Sequence, residues 1–482
     1  MGMNAPDRSP PLRSHASHSS RETLSRGAKV GLTALLLIAS ACVFRWSDAS
    51  LDIDDALITY RYAENLAAGE SFSYNRGERI IGTSTPLYTL LLAAGRLAGI
   101  PVIEASNAIN LLASVASVGL TLALTLALTG SFAAGLVAGA VLLSASPFVR
   151  YSMAGMETPL YTLVILAALL AVVRRQASLA AVLAGLAVLM RLDGLAVAAA
   201  VCLAYMIERR RLPLRECLVI VALVLPWLVF ATVWSGSPLP HSLLAKRLHL
   251  ATDGGNRFWI WHWLFVQPWS GAWFLLPFAA VGLLRSLTRG ALAQGWIASL
   301  LFLGLYLVAY TLVAIPFYEW YLMPVLPVLA VLSASGMWAS VSFIARRLPA
   351  LAQSSLLGLV ALAVLVPHFR EMRSSVAAFK EYVEKVEGTR VAVGLWLRER
   401  SRERDSIGTG AIGHVGYASR RRIVDMGRLV TPLGDEPGTL RADYYAFEEP
   451  IDEPGCSPLR VFETHLSVEP KQITIWTCVP EP

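Results

Sequence analysis

The sequence predicts an α-helical integral membrane protein with about eleven transmembrane helices and a small extracytoplasmic α/β domain at the C-terminal end. Three observations carry this reading. Of 482 residues, 55% are hydrophobic and only 16% charged, with a mean hydropathy of +0.55; soluble domains carry about 25% charged residues. Apolar runs of the roughly 17–25 residues needed to cross a hydrocarbon core recur between residues 30 and 367. From about Val376 onward the chain turns polar.

The elements follow in order. Residues 1–29 form a basic tail with Arg8, Arg13, Arg21, Arg26 and Lys29. No small-x-small cleavage site separates the following apolar run from the acidic motif, so it is read as an uncleaved first span. Spans are expected near 30–46, 106–128, 132–149, 158–173, 177–190, 194–208, 214–234, 271–285, 292–315, 321–343 and 352–368. The apolar stretch 86–98 is too short to cross and is expected as an in-plane or re-entrant helix within a first outer loop, 47–105. The membrane module is thus 30–370 and the extracytoplasmic domain 371–482.

Starting the tail in the cytoplasm and alternating places Arg174–Arg175, Arg209–Arg211 with Arg215, Arg285 with Arg289, and Arg346–Arg347 inside, as the positive-inside rule requires. The net charge of +7 and pI near 9.2 are explained by these loops, and a nucleic-acid partner is excluded. Lys246–Arg247 breaks the rule by landing outside. Cys456 and Cys478 fall in the polar C-terminal part and are expected to pair if it lies outside the cytoplasm.

The same alternation gathers the unusual polar stretches on the outer side. They are "DIDDALITYRYAEN" at 52–65, "RYSMAGMETPLY" at 150–161, "MRLDG" at 190–194, "PLPHSLLAKRLHL" at 238–250 and "PFYEWYLMP" at 316–324. Charges at a bilayer are costly, and one outward-facing site accounts for their concentration. With Asp52 as N-cap, a helix from Asp54 puts Asp54, Ile58, Arg61 and Asn65 on one face, with Asp55 and Tyr62 on the adjacent stripe. A carboxylate beside Arg61, Arg150, Arg191, Lys246 and Arg247 suits transfer of a sugar from a polyprenyl phosphate. The phosphate leaving group needs cations rather than an acid, and the attacking hydroxyl needs one base. Direct displacement inverts the anomeric centre. Glu157, Asp193, His241 and Glu319 join Tyr62 and Asn65 as candidates for sugar or acceptor contacts.

These motifs, in this order, resemble the GT-C superfamily of polyprenyl-phosphate-sugar-dependent glycosyltransferases. The nearest likeness is the bacterial branch containing the mycobacterial terminal arabinofuranosyltransferase. The matching positions in the first outer loop are Asp54, Asp55, Arg61, Tyr62, Asn65, Asn75, Gly77, Glu78, Arg79, Gly82 and Pro86. "GMETPLY", "RLDG", "PLPHSLLAK", "YLMPVLPVLA" and "GAIGHVGYASRRRIVDMGRLV" extend the likeness over most of residues 50–430. The resemblance implies an arabinofuranosyl donor, with a mannosyl or other hexosyl donor as the alternative. It also implies an envelope glycan or glycolipid acceptor, and a bacterial inner (plasma) membrane location facing the periplasm.

In that superfamily an Asp of the first outer loop is the base. Asp54 is assigned this role because it shares a face with Arg61, and Asp55 orients an acceptor hydroxyl or a metal; on sequence alone the two are exchangeable. Asp52, Asp54 and Asp55 are hard oxygen ligands for Mg²⁺, Mn²⁺ or Ca²⁺, and no His/Cys set points to zinc. Leu57, Leu192, His241, Leu243 and Leu244 depart from the branch pattern at positions expected to touch sugar or lipid. Trp259, Trp261, Trp263, Trp269 and Trp273 read chiefly as an interfacial aromatic belt, and Tyr318, Trp320 and Tyr321 as anchors. "GTGAIG" at 408–413 matches a dinucleotide fingerprint by letter only and is read as turns. Two other classes, a lipid-linked-sugar transporter and a structural envelope protein, compete with the enzyme reading.

Overall fold

A computed structural model describes residues 25–44, 51–252, 258–265, 275–288, 295–313, 316–432, 441–448, 456–464 and 471–478. The basic tail up to residue 24, Arg289, Trp269 and Trp273 lie outside the described residues.

The chain opens with α1 (Arg26–Phe44), then α2 (Asp54–Ala67) and α3 (Pro86–Leu97) in the first polar loop. Next come α4 (Val102–Thr129), α5 (Phe132–Ser144), α6 (Ser146–Ser152), α7 (Thr158–Val173), α8 (Ala177–Met190), α9 (Leu195–Arg209) and α10 (Leu214–Ser235). The second half holds α11 (His241–Thr252), α12 (Trp259–Phe265), α13 (Leu276–Thr288), α14 (Ile297–Val313), α15 (Leu326–Ile344) and α16 (Ala350–Tyr382). All eleven expected spans contain one of these helices. Five described helices are long and apolar enough to cross a membrane, and α7, α8, α13 and α14 are shorter apolar helices. The chain is a multi-pass membrane protein. α15 is packed on most of its surface, whereas α1 and α10 are largely unburied apolar cylinders, as lipid-facing helices are.

Two expectations change. The span expected over 132–149 is broken into α5 and α6, bent by 68°. Pro147, in the first turn of α6, has no N–H to continue the α5 ladder. The span expected to end near Pro367 does not end there. α16 carries Pro367 in its interior, passes through a π-turn at Val383–Glu387 and continues as α17 (Gly388–Arg400). The boundary placed at residue 371 therefore falls inside one helical rod of 51 residues.

That rod carries the C-terminal α/β domain. Strand β1 (Ser406–Thr409), helix α18 (Ile412–Ser419) and β2 (Arg422–Asp425) form a parallel β-α-β unit. With β3 (Tyr444–Phe447), β4 (Cys456–Thr464) and β5 (Lys471–Cys478) the sheet order is β2-β1-β3-β5-β4. β3 is parallel to β1, and β5 is antiparallel to both β3 and β4. Cys456 and Cys478 face each other across the β4–β5 pair and form the expected disulfide.

The domain docks on α2. Ile58 and Tyr62 share an apolar core with Val393, Leu397, Ile412 and Val415. Gly413 and Gly416 allow this approach. A Cβ on Gly413 would collide with the Asp54 main-chain carbonyl, and one on Gly416 with the Tyr74 hydroxyl. The glycines of the fingerprint-like stretch thus include one that serves close helix packing.

Candidate active site

The face of α2 predicted from helical periodicity exists, but it points into the C-terminal domain. Helix α2 starts after Ile53, with no side-chain cap; Asp52 is instead buried, accepting from the Tyr60 hydroxyl at 3.1 Å. The Asp54 carboxylate accepts the N–H groups of Gly413 (2.9 Å) and His414 (2.8 Å), so it caps α18 rather than its own helix. Nδ1 of His414 lies 3.5 Å from Asp54 and 3.0 Å from Glu387. Arg390 continues the chain, donating to Glu387 at 3.0 Å and to Glu448 at 2.8 Å.

Burial alone would push Asp54 up, but the His414 side chain and N–H outweigh it and hold the carboxyl below the usual carboxylate range. Burial likewise opposes charge on His414, yet the Asp54 and Glu387 carboxylates push its imidazole up to about 9. A free imidazole titrates near 6.5. The stabilisation is therefore complete below about pH 6.5 and lost as pH rises through about 9, an effect on the order of 1–3 kcal/mol. Thermal unfolding in detergent should show stability declining between about pH 7 and 9.5, with a flatter profile for His414→Gln.

Asp55 has the opposite environment. Its side chain is 30% exposed, 3.8 Å from the Lys246 ammonium. Burial pushes its carboxyl above the ordinary range; Lys246 opposes this, while Asp54 and Glu387 add to it. Asp55 lines a cleft of about 1060 Å³ between the helical module and the C-terminal domain. Across the ion pair, Lys246 lines a second, mostly apolar pocket of about 240 Å³ together with Arg191, Leu192, Leu243, Tyr310 and Tyr321. A narrow apolar cavity of about 40 Å³ shares Ser84, Leu192 and Pro240 with that pocket. The Asp55–Lys246 ion pair stands between the two larger cavities, each partner lining one of them.

The other predicted residues divide between these cavities and the scaffold. Arg191 is held between Glu157, to which it donates, and Asp193 at 3.0 Å; Tyr306 and Tyr310 hydroxyls donate to Asp193. Glu157 and Asp193 thus fix an arginine, and Asp193 also lines the apolar pocket. Arg150 pairs with Glu319 at 2.6 Å, and the Tyr151 hydroxyl donates to the same carboxylate.

Arg61, expected at the donor phosphate, is committed to main-chain carbonyls and lines none of these cavities. Its Nε donates to the Tyr74 carbonyl (2.9 Å), Nη1 to that of Gly416 (2.8 Å) and Nη2 to that of Arg421 (2.6 Å). Tyr62 donates to Ile80 and accepts from Gly82, and Asn65 donates to Ser73 and Tyr74, so both brace the polar loop. Arg247 is exposed and His241 bonds Ile81 through its backbone; neither lines a described cavity. Leu57 is a core residue and Leu244 is exposed.

Sequence reasoning missed Glu387, Arg390, His414 and Glu448. Only His414 carried a signal, standing inside "GAIGHVGY". The expected cation site also changes: among the described residues Asp54 gathers with Glu387 and His414, ligand atoms within 4.8 Å, not with Asp52 and Asp55. The buried Nδ1 of His414, aligned in a hydrogen bond with neither carboxylate, fits a cation or a proton at that point.

Fold and site together define a multi-pass membrane protein with a charged junction beneath a small α/β cap. Over 93% of its length the chain superposes on 98% of ArnT from Cupriavidus metallidurans bound to undecaprenyl phosphate, at a TM-score of 0.62 and 12% identity. The apo state of ArnT from the same organism gives 0.58 and 14% identity, covering 83% of this chain and 86% of that one. A family described as a domain of unknown function (DUF8728) matches residues 377–453. No curated protein matches.

Proposed function

We propose that this chain is a membrane glycosyltransferase that moves a sugar from a polyprenyl-phosphate donor to an acceptor hydroxyl, with Asp55 as general base. The observation that carries the reading is the Asp55–Lys246 pair standing between an apolar pocket and a cleft lined by charged and aromatic residues. The apolar pocket suits the proximal isoprenoid and phosphate, with Lys246 as the cation facing the leaving group. Arg191, already neutralised by two carboxylates, shapes the wall. The fold likeness to ArnT bound to undecaprenyl phosphate supports a lipid of this class.

The acceptor oxygen bonds to the anomeric carbon as the bond to phosphate breaks. Its proton passes to Asp55, and polyprenyl phosphate leaves as an anion stabilised by Lys246. Asp54, assigned the base from sequence, is held by two backbone N–H groups and His414 and serves as the latch that positions Asp55. If a divalent cation takes part, Asp54, Glu387 and His414 are the residues that fit it.

The motif likeness favours arabinofuranose as the transferred sugar, with mannose or another hexose as the alternative. The basic cytoplasmic loops and the disulfide support a site on the extracytoplasmic face of a bacterial inner membrane.

Purified protein should consume short-chain polyprenyl-phospho-arabinofuranose or polyprenyl-phospho-mannose on mixed envelope acceptors. Consumption of neither by a folded sample would remove both donor assignments. Lys246→Ala should raise donor KM about 10–100-fold, the loss of one charge-assisted contact of about 1.5–3 kcal/mol. An unchanged donor KM would remove Lys246 from the phosphate.

A further inference from the structure

The cleft on the far side of Asp55 has a chemistry that the transferase reading leaves unassigned. Its lining carries four carboxylates, from Asp54, Asp55, Glu387 and Glu448, against two guanidinium groups, from Arg150 and Arg390. Both arginines are already in ion pairs, Arg150 with Glu319 at 2.6 Å and Arg390 with Glu387 and Glu448 at 2.8–3.0 Å. With the flanking Glu319, Lys246 and His414 counted, five carboxylates stand against four cations, so an anionic group entering here meets a small excess of negative charge and only arginines already paired with carboxylates. A cleft lined by one excess sign focuses that field on whatever enters.

The same cleft has an aromatic floor. Tyr318 and Trp320 stack with ring centroids 4.4 Å apart and planes 18° from parallel. Tyr151 meets Trp320 edge-on at 5.7 Å and fixes its orientation. Tyr318, Trp320 and Tyr151 all line the cleft, so Tyr318 and Trp320 are not simply anchors on the outer perimeter. Glu319, between them in sequence, is spent on Arg150. The weakly positive C–H face of a sugar ring suits the negative face of an aromatic ring, and carboxylates accept from sugar hydroxyls. A volume of about 1060 Å³ lies just above the roughly 300–1,000 Å³ of small-molecule sites, room for several sugar units rather than one.

We infer that the cleft is the acceptor seat and takes a neutral oligosaccharide stacked on Trp320, not a phosphate-bearing group. This rests on the transferase reading for its role, but not for the binding itself, so the two are separable by experiment. The acceptor's terminal hydroxyl lies toward Asp55, which takes its proton as the new glycosidic bond forms and the donor's bond to phosphate breaks.

Binding can be measured without turnover, by saturation-transfer NMR on the full chain in nanodiscs. The probes are neutral linear tetrasaccharides of arabinofuranose and of mannose, and the same compounds carrying a terminal phosphomonoester. At least one neutral probe should bind, and its phosphorylated form at least about tenfold more weakly. Trp320→Ala should weaken the neutral probe about tenfold, and Trp320→Phe should restore most of the affinity.

Equal or tighter binding of the phosphorylated probes overturns the inference. So does the absence of any neutral binding up to about 10 mM, or indifference to Trp320→Ala in a sample whose unfolding temperature matches wild type. Neutral binding with the predicted Trp320 dependence, in a protein that turns over no polyprenyl-phosphate sugar, would sink the transferase reading and leave the seat standing.

Discussion

Asp55→Asn should abolish most transfer, lowering kcat by about 10²–10⁴-fold, the range for removal of a general base, while donor affinity and unfolding temperature stay near wild type. The amide is close in size and keeps the cleft closed, but cannot take the acceptor's proton. Wild-type kcat/KM should also fall on the acid side with an apparent pKa above the roughly 3.9 of a free Asp, because burial holds the Asp55 proton on. Asp54→Asn makes the contrast. Its carboxylate accepts two N–H groups and faces His414, so its loss should appear first as a lower unfolding temperature. Full stability with lost chemistry in Asp54→Asn, and retained chemistry in Asp55→Asn, would return the base to Asp54.

Arg61→Ala should destabilise the protein by about 3 kcal/mol or more without changing donor KM in the fraction that remains folded. The guanidinium satisfies carbonyls of Tyr74, Gly416 and Arg421 and lies over the Tyr74 ring at 4.3 Å. Two of those carbonyls belong to the C-terminal domain, so the residue clasps it to α2. Each orphaned buried acceptor costs about 1–3 kcal/mol. Limited proteolysis of Arg61→Ala in detergent should release the C-terminal domain faster than in wild type. A tenfold rise in donor KM at unchanged stability would instead place Arg61 at the phosphate.

The helices were legible because lipid demands long apolar runs and basic loop ends, both local properties. The periodicity of α2 was legible for the same reason, and Asp54 and Arg61 do share a face. What that face meets was not. Its partners Gly413 and His414 lie 359 and 360 positions away, and no local pattern encodes a contact at that range. Both acids line the cleft, but Asp54 is committed to those distant N–H groups while Asp55 faces Lys246. Pro367 misled in another way. A proline is a sound stop signal where water or a turn competes for the backbone, but α16 continues through it. Glu387 and Arg390 lie beyond that point on the same rod, in a stretch whose sequence carries no motif.

The walls of the cleft are made far apart in synthesis order. Asp55 leaves the ribosome 393 residues before Glu448 and 418 residues before Ile473. A nascent chain with every apolar helix already inserted therefore has its acid and its lysine but no enclosed chamber, and its Asp54 latch has nothing to grip. The cleft is complete only when the final strands pair and the cap sits on α2. A chain stalled or clipped before β3 lacks the wall that Ala446, Phe447, Glu448 and Ile473 supply.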